Sequence, residues 1–146
     1  VHTRLRKLEE ENFDGIILAA AGLKRLGLLE QDAYEYTFLA PEEFIPAGGQ
    51  GLMAVEAKAG TAAHSLTLAM DHAQGRLCLD LERSVLKQLD AGCHEPIGIY
   101  SVLQNGQLEV WGISSPRGEV KRIHLTGGTS RRDMEKLASE AWKGLM

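Results

Sequence analysis

The feature that most constrains the fold of this chain is the dipeptide Asn105-Gly106, which lies between two extended apolar runs. Asn-Gly is the pair that most favours a two-residue type I′ turn, because both residues of that turn need a positive φ. The flanking runs, IGIYSVLQ and QLEVWGIS, are rich in residues that favour strands. The sequence therefore predicts an antiparallel hairpin, and a third strand, EVKRIHL, after the turn at residues 116–118.

Helices are predicted before and after these three strands in the sequence. From about residue 62 the apolar residues recur at helical spacing on one face. Ser130 and Asp133 form a capping-box-like start to a final helix that runs to the end of the chain. Residues 64–146 are therefore predicted to be an α+β domain, a three-stranded antiparallel sheet with helices on one face. The apolar face of the earlier helix consists of Leu77, Leu81, Val85 and Leu89.

The first sixty or so residues predict an α/β layer instead. Thr3 is the predicted N-cap of a short helix, and the run FDGIILAA predicts a strand buried on both faces. The helical segment GLKRLGLL follows it, and the runs EYTFLA and LMAVEA have strand-like patterns on either side of the turn-rich residues 46–51. This order of helix, buried strand and helix is that of a parallel α/β region.

Charge and hydropathy exclude several classes of protein. The 16 basic residues are scattered among 20 acidic ones, so no field of one sign exists to attract nucleic acid or an anionic membrane. No apolar run approaches the roughly 18 residues of a membrane span, and the first residues are too charged for a signal peptide, so we expect a cytoplasmic protein. Cys78 and Cys93 lack the spacing of a zinc site, and no metal is expected.

Cys93 is the most informative single residue. It follows Gly92, the predicted end of a helix, and precedes Pro96, so we expect its thiol on a loop where it can react. Taken alone, a free cysteine is more often a small buried side chain, and Cys78, inside the apolar pattern of a helix, keeps that interpretation. The neighbouring His94 is expected to be a solvated loop residue; the alternatives are that it lowers the pKa of the thiol or that it hydrogen-bonds a group bound there.

Several separated blocks resemble porphobilinogen deaminase in the order that this family has them: HTRLRKL, FDGIILAAAGLKRLGL, IPAGGQGLMAVEAK, ERSVLKQL and AGCHEPIGIY. The second and the last are highly specific. The resemblance implies that residues 1–45 are the second half of a middle α/β domain and 46–63 a hinge and return segment of the first domain. Residues 64–146 would be the cofactor-bearing domain, and the front of the chain part of a two-lobed region like that of periplasmic binding proteins.

The resemblance also implies an activity and a site. The family's enzyme is a transferase of heme biosynthesis that deaminates porphobilinogen and joins four units into hydroxymethylbilane. Cys93 matches the cysteine that carries the dipyrromethane cofactor through a thioether. Arg4 and Arg25 match arginines that bind substrate and cofactor, and planar guanidinium groups suit the carboxylates of pyrroles. Gln50, in GGQG, matches a segment near the cofactor.

The family's catalytic aspartate comes from its amino-terminal domain, and no residue of this chain matches it. Asp14 is expected to be structural, and Asp80 and Asp90 to be surface charges of a helix. The catalytic residue is therefore unknown, and we expect catalysis to need an amino-terminal region or a partner chain carrying it. The loop also departs from the common family pattern at its ends, with Ala91 before Gly92 and His94-Glu95 after the cysteine.

A competing hypothesis comes from a different class of protein. The same two-lobed architecture occurs in solute-binding proteins, in which arginines hold anions without chemistry. The chain would then be a non-catalytic module that binds an anion or another small molecule. A covalent pyrrole group on Cys93 distinguishes the two hypotheses, because only the enzyme requires it.

Overall fold

The computed structural model describes residues 1–31, 33–89 and 96–146. The chain divides into two units, Val1–Leu39 and Ala40–Met146. Among the described residues, none of the helices combines the length and the hydropathy that crossing a membrane requires. The boundary between the units lies a few residues before the predicted boundary at residue 46, and the assignment of three domain segments stays a prediction.

The first unit is built on two short helices, α1 (His2–Glu10) and α2 (Ala20–Arg25), and a 3₁₀ turn at Leu28–Glu30. Helix α1 begins earlier than predicted: its N-cap is Val1, not Thr3. The reason is that the amides of residues 4 and 5 already donate to the Val1 carbonyl, at 2.9 and 3.1 Å. The small core of the unit consists of Leu5, Leu23 and Leu28.

The strands predicted in the first sixty residues do not form in the part of this segment that the structure describes. The described part of the chain has no strand before Ile97, so FDGIILAA, EYTFLA and LMAVEA are not strands. Ile16 and Leu18 nevertheless pack against the core of the first unit. A strand is held by ladder hydrogen bonds to a neighbour, and no described segment supplies them here. The strand prediction was wrong in this structure because the apolar pattern reports burial and not pairing.

Two helices lead into the sheet of the second unit. Helix α3 (Ala62–Leu68) is capped by Thr61, and α4 (Ala73–Gln88) is capped by His72, whose Nδ1 accepts from the Gly75 amide at 3.0 Å. The helical pattern predicted from residue 62 is therefore interrupted at residues 69–72. The core-facing stripe of α4 is confirmed, since Leu81 and Val85 are fully buried.

The three predicted strands of the second unit are confirmed. They are β1 (Ile97–Gln104), β2 (Gln107–Ser114) and β3 (Lys121–Gly127), paired antiparallel in the order β1-β2-β3. The β1–β2 register brings Gln104 opposite Gln107, so the connection has two residues. Asn105 and Gly106 have φ of 51° and 76°, the positive values that a type I′ turn requires.

Helices α4 and α5 (Arg131–Leu145) pack on one face of this sheet and against each other. The predicted cap of α5 is confirmed: the Asp133 amide donates to Ser130 Oγ at 3.2 Å. The second unit is therefore an α+β structure, as predicted. Its core consists of Leu81, Val85, Ile99, Leu108, Val110, Leu137, Ala138, Ala141 and Leu145.

The opposite face of the sheet carries a row of rings, one from each strand. The Trp111 ring stacks on the His124 imidazole at a centroid distance of 4.5 Å, and Tyr100 lies 5.8 Å from Trp111 on the other side. The row follows the strand register, in which these three residues are directly opposite one another. Such cross-strand pairs stabilise the sheet on its helix-free side.

Candidate functional site

Arg4 lies on the exposed side of α1, where it lines an open cleft together with Lys7. The remaining lining residues are apolar: Phe13, Ile16 and Ile17. Lys7 forms an i,i+4 ion pair with Glu11 at 3.0 Å, and Arg4 takes no part in that pair. The cleft thus combines two cations with an apolar wall. This combination suits a flat apolar group that carries carboxylates.

Arg25 lies in the last turn of α2 and is exposed. The helix ends there because Gly27 adopts a left-handed conformation with φ of 64°, after which the chain turns into the 3₁₀ segment. Arg25 is not among the described residues that line the Arg4 cleft. The structure therefore presents the two predicted arginines in one unit but does not join them in one cleft.

Gln50 lies on a turn of the second unit that is hydrogen-bonded to β1 and α4. The Pro46 carbonyl accepts from the Ile99 amide at 2.8 Å, and the Gly49 amide donates to Glu82 Oε2 at 2.7 Å. The backbone N–H of Gln50 donates to the Ala47 carbonyl at 3.0 Å, which closes the turn, and the Gln50 side chain is exposed. The predicted hinge is thus a turn anchored beside β1 and α4, with the Gln50 side chain open to solvent.

Glu82 is the residue that the sequence prediction missed. Its side chain is only 5% exposed, and its carboxylate accepts from the Gly49 amide, the Ser101 amide at 2.8 Å and Ser101 Oγ at 2.9 Å. A buried carboxylate is costly unless hydrogen bonds satisfy it, and these three donors do so. The available signal was its position: Glu82 directly follows Leu81 and precedes Val85 by three, which puts it beside the core-facing stripe of α4.

Cys78 has the structural role that the sequence predicted. It is partly buried in α4 and packs against the core of the second unit. Burial raises the pKa of its thiol above the ordinary value, although a hydrogen bond with Ser101 acts in the opposite direction. Since the thiolate is the reactive form, Cys78 is a poor nucleophile.

The predicted cofactor loop lies outside the described residues. This loop is residues 90–95, which include Gly92, Cys93, His94 and Glu95, and the predictions for these residues stay predictions. On either side of them, α4 ends at Gln88 and β1 begins at Ile97. The segment that contains Cys93 therefore joins α4 to β1, and both of these elements contribute to the core of the second unit.

No catalytic carboxylate can be assigned from the described residues. Asp14 and Asp80 are both exposed, and neither has a hydrogen bond that would mark it as a proton donor. Asp80 lies on the outer side of α4, as predicted, and Asp90 is outside the described residues. Within the described part of the chain, no group of three or more His, Cys, Asp or Glu side chains is arranged to hold a metal ion.

Comparison with known protein families gives two matches that follow each other along the chain. Residues 1–65 match a model described as "Porphobilinogen deaminase, dipyromethane cofactor binding domain". Residues 76–143 match a model described as "Porphobilinogen deaminase, C-terminal domain". Together the two models account for most of the chain, with a short gap between them.

Curated relatives carry the same name. The porphobilinogen deaminase of Chromobacterium violaceum is 45% identical over 122 residues, which are 82% of this chain and 38% of the relative. That of Clostridium acetobutylicum is 46% identical over 127 residues, 87% of this chain and 43% of the relative. A Clostridium botulinum relative is 34% identical over 137 residues, 94% of this chain and 46% of the relative. The chain thus spans less than half the length of the curated relatives it matches.

Proposed function

Because the chain belongs to the porphobilinogen deaminase family, we propose that it is the carboxy-terminal part of a transferase of heme biosynthesis in the cytoplasm. The reaction removes ammonia from porphobilinogen and joins four of the resulting pyrrole units into hydroxymethylbilane. The observation that carries the proposal is that two models of one family match successive parts of the chain.

Dipyrromethane is the cofactor that the first of these models names. We propose that Cys93, which lies in the range matched by the second model, holds it through a thioether. When bound, this group supplies the primer to which new pyrrole units are added. Cys93 is preferred over Cys78 because burial raises the pKa of the Cys78 thiol and its helix packs against the core. Binding at Cys93 would bring the primer next to β1, on the second unit.

The chemistry of the Arg4 cleft fits ligands of this kind. Each porphobilinogen-derived unit carries an acetate and a propionate on an apolar ring. The Arg4 guanidinium and the Lys7 ammonium supply cations for those carboxylates, and Ile16 and Ile17 supply an apolar surface for a ring. We propose that Arg4 binds and orients the pyrrole carboxylates, and that Arg25 binds a further carboxylate of substrate or cofactor.

Gln50 has a complementary role in the proposal. An amide side chain both donates and accepts, so it can bind a pyrrole N–H or a carboxylate oxygen. Its exposed side chain on an anchored turn is available for such a contact. Gln50 would therefore orient the cofactor without taking part in proton transfer.

A further part of the protein, or a partner chain, completes the enzyme in this proposal. Large apolar side chains between residues 52 and 70 are exposed, which is unusual for so many in one stretch. We propose that the amino-terminal region covers them, supplies strands that pair with the apolar runs of the first sixty residues, and provides the catalytic carboxylate. The two-lobed α/β architecture would then form. The exposed side chains are Leu52, Met53, Val55, Leu66, Leu68 and Met70.

Intact mass spectrometry of the protein expressed together with the region encoded before Val1 tests the proposal. We expect a mass increment equal to two porphobilinogen units less two ammonia, and peptide mapping should locate it at Cys93. Cys93→Ser should lose the increment, and the matched Cys78→Ser should keep it. The acidic aldehyde reagent for pyrroles gives a second readout, a colour that follows the same pattern.

The outcomes separate the enzyme from a non-catalytic binding module. An unmodified Cys93 thiol in freshly prepared protein, together with tight binding of a small anion, would refute the transferase and support the module. An increment located on Cys78 would refute the assignment of the anchor alone. Normal hydroxymethylbilane production by the Cys93→Ser variant would do the same.

A further inference from the structure

Glu82 connects three segments that are far apart in the sequence. It belongs to α4, its Oε2 accepts from Gly49 of the turn at 2.7 Å, and its Oε1 accepts from the Ser101 amide of β1 at 2.8 Å. The Ser101 hydroxyl, 2.9 Å from Oε1, adds a third donor. The carboxylate is therefore a fixed bridge with both oxygens occupied by groups of different elements.

The turn that Glu82 holds has little freedom of its own. Gly49 has φ of 75°, a left-handed conformation that leaves its amide pointing at the carboxylate. On the preceding side, the Pro46 carbonyl accepts from the Ile99 amide, two residues before Ser101 on the same strand. The turn is thus joined to β1 twice: Pro46 is bonded directly to Ile99, and Gly49 is connected to Ser101 through the Glu82 carboxylate. Gln50 is the next residue after the second point.

The same two elements flank the segment that contains Cys93. Helix α4, which carries Glu82, ends at Gln88, and β1, which carries Ser101, begins at Ile97. We propose that Glu82 is a positioning residue: it fixes the Gln50 turn relative to the two elements that flank the cofactor loop. This inference rests on the proposed function, because it concerns the turnover of porphobilinogen.

The chemistry of the bridge requires a carboxylate. The Gly49 amide and the Ser101 amide face different oxygens of Glu82 and can only donate, so a Gln side chain of the same shape would turn its NH₂ toward one of them. The Ser101 hydroxyl has a single hydrogen, its oxygen also lies 3.1 Å from the Cys78 carbonyl, and this hydroxyl can accept instead. The contact to Gly49 is the one more easily given up, because it is only partly buried and water can replace it, whereas the Ser101 amide is buried and costly to leave unpaired. Glu82→Gln should therefore release the Gln50 turn while α4 stays packed on the sheet.

A double-mutant cycle in the complete protein tests the proposal, with turnover expressed per cofactor-loaded molecule. We expect Glu82→Gln to lower kcat about tenfold, since a small displacement of an orienting group is sufficient for such a loss. In the Gln50→Ala background the same change should lower kcat by less than about twofold, because Glu82 acts through Gln50. Glu140→Gln, the same substitution at an exposed site of α5, should leave kcat unchanged.

Equal losses from Glu82→Gln in both backgrounds would overturn the proposal, since a purely structural role reduces turnover regardless of Gln50. If Glu82→Gln does not fold, Glu82→Asp keeps the charge but is one methylene too short to reach both partners, and the same cycle applies. Failure of the proposed function is recognised separately, because the unmodified protein would then lack the pyrrole increment at Cys93.

Discussion

Replacing Gly98 by alanine should destabilise the second unit, because the turn segment lies directly on this residue of β1. A Cβ atom there would lie 2.6 Å from the Ile45 carbonyl oxygen and 2.9 Å from Ile113 Cγ2. Because the Ile45 oxygen belongs to the backbone and cannot rotate away, the extra methyl group should lower the free energy of unfolding by about 1–3 kcal/mol. A shift of the segment would also stretch the hydrogen bond from Ile99 to Pro46, worth about 1 kcal/mol.

Alanine gains roughly 0.5–1 kcal/mol over glycine within a strand, so the net loss in the free energy of unfolding is about 2 kcal/mol. With a urea dependence of about 2 kcal/mol per molar, the midpoint of urea unfolding should fall by about 1 M, as followed by far-ultraviolet circular dichroism. Gly15→Ala is the control, since a Cβ at Gly15 has no atom within 4 Å. An unchanged midpoint for Gly98→Ala would refute the packing of the turn segment against β1.

Two further changes test the cap of α5 and the Asp71–Arg76 ion pair at the start of α4. Ser130→Ala removes the acceptor of the Asp133 amide and should lower stability by about 1 kcal/mol in urea unfolding, whereas Ser139→Ala within the helix should not lower it. The hydrogen bond from Arg76 holds the pKa of Asp71 below its usual range. Stability from this pair is present at neutral pH and lost as pH falls through the lowered pKa, so Asp71→Asn should be slightly less stable than wild type at neutral pH and equal to it in acid below that pKa. A difference that persists in acid would contradict this assignment.

The sheet of the second unit and its helix α5 were predictable because their local signals agree with one another. Asn105 and Gly106 specify the hairpin turn by their φ preference alone. Ser130 specifies the start of α5 through a contact only three residues away. Each of these features depends on neighbours in the sequence, so pattern and structure coincide.

The first seventy or so residues were harder to predict because their patterns depend on neighbours that the sequence does not specify. The run around Ile16 and Leu18 is apolar enough to be buried, and it is partly so. Whether such a run forms a strand depends on a second strand beside it, which local periodicity does not encode. The break between α3 and α4 was missed for a related reason, since His72 is an unusual N-cap.

The candidate site was predicted in part. Arg4 was identified through the family motif, whereas Lys7, which lines the same cleft, was not, because a lysine on an amphipathic helix is ordinarily a solvated charge. Glu82 was missed because a glutamate on an amphipathic helix is also ordinarily a solvated charge. Its role depends on Gly49 and Ser101, which are 33 and 19 residues away in sequence, and no local pattern indicates such contacts.

The hydrogen bonds that the outer edge of β1 makes to Pro46 and Glu82 also affect self-association. An outer strand with unpaired amides is a template on which a second copy of a protein can add a strand, the first step toward aggregates. At β1, the Ile99 amide is taken by Pro46 and the Ser101 amide by Glu82, so two of the groups that would recruit another strand are already occupied. The residues that hold the Gln50 turn in place thus also protect the β1 edge of the sheet from the addition of another strand.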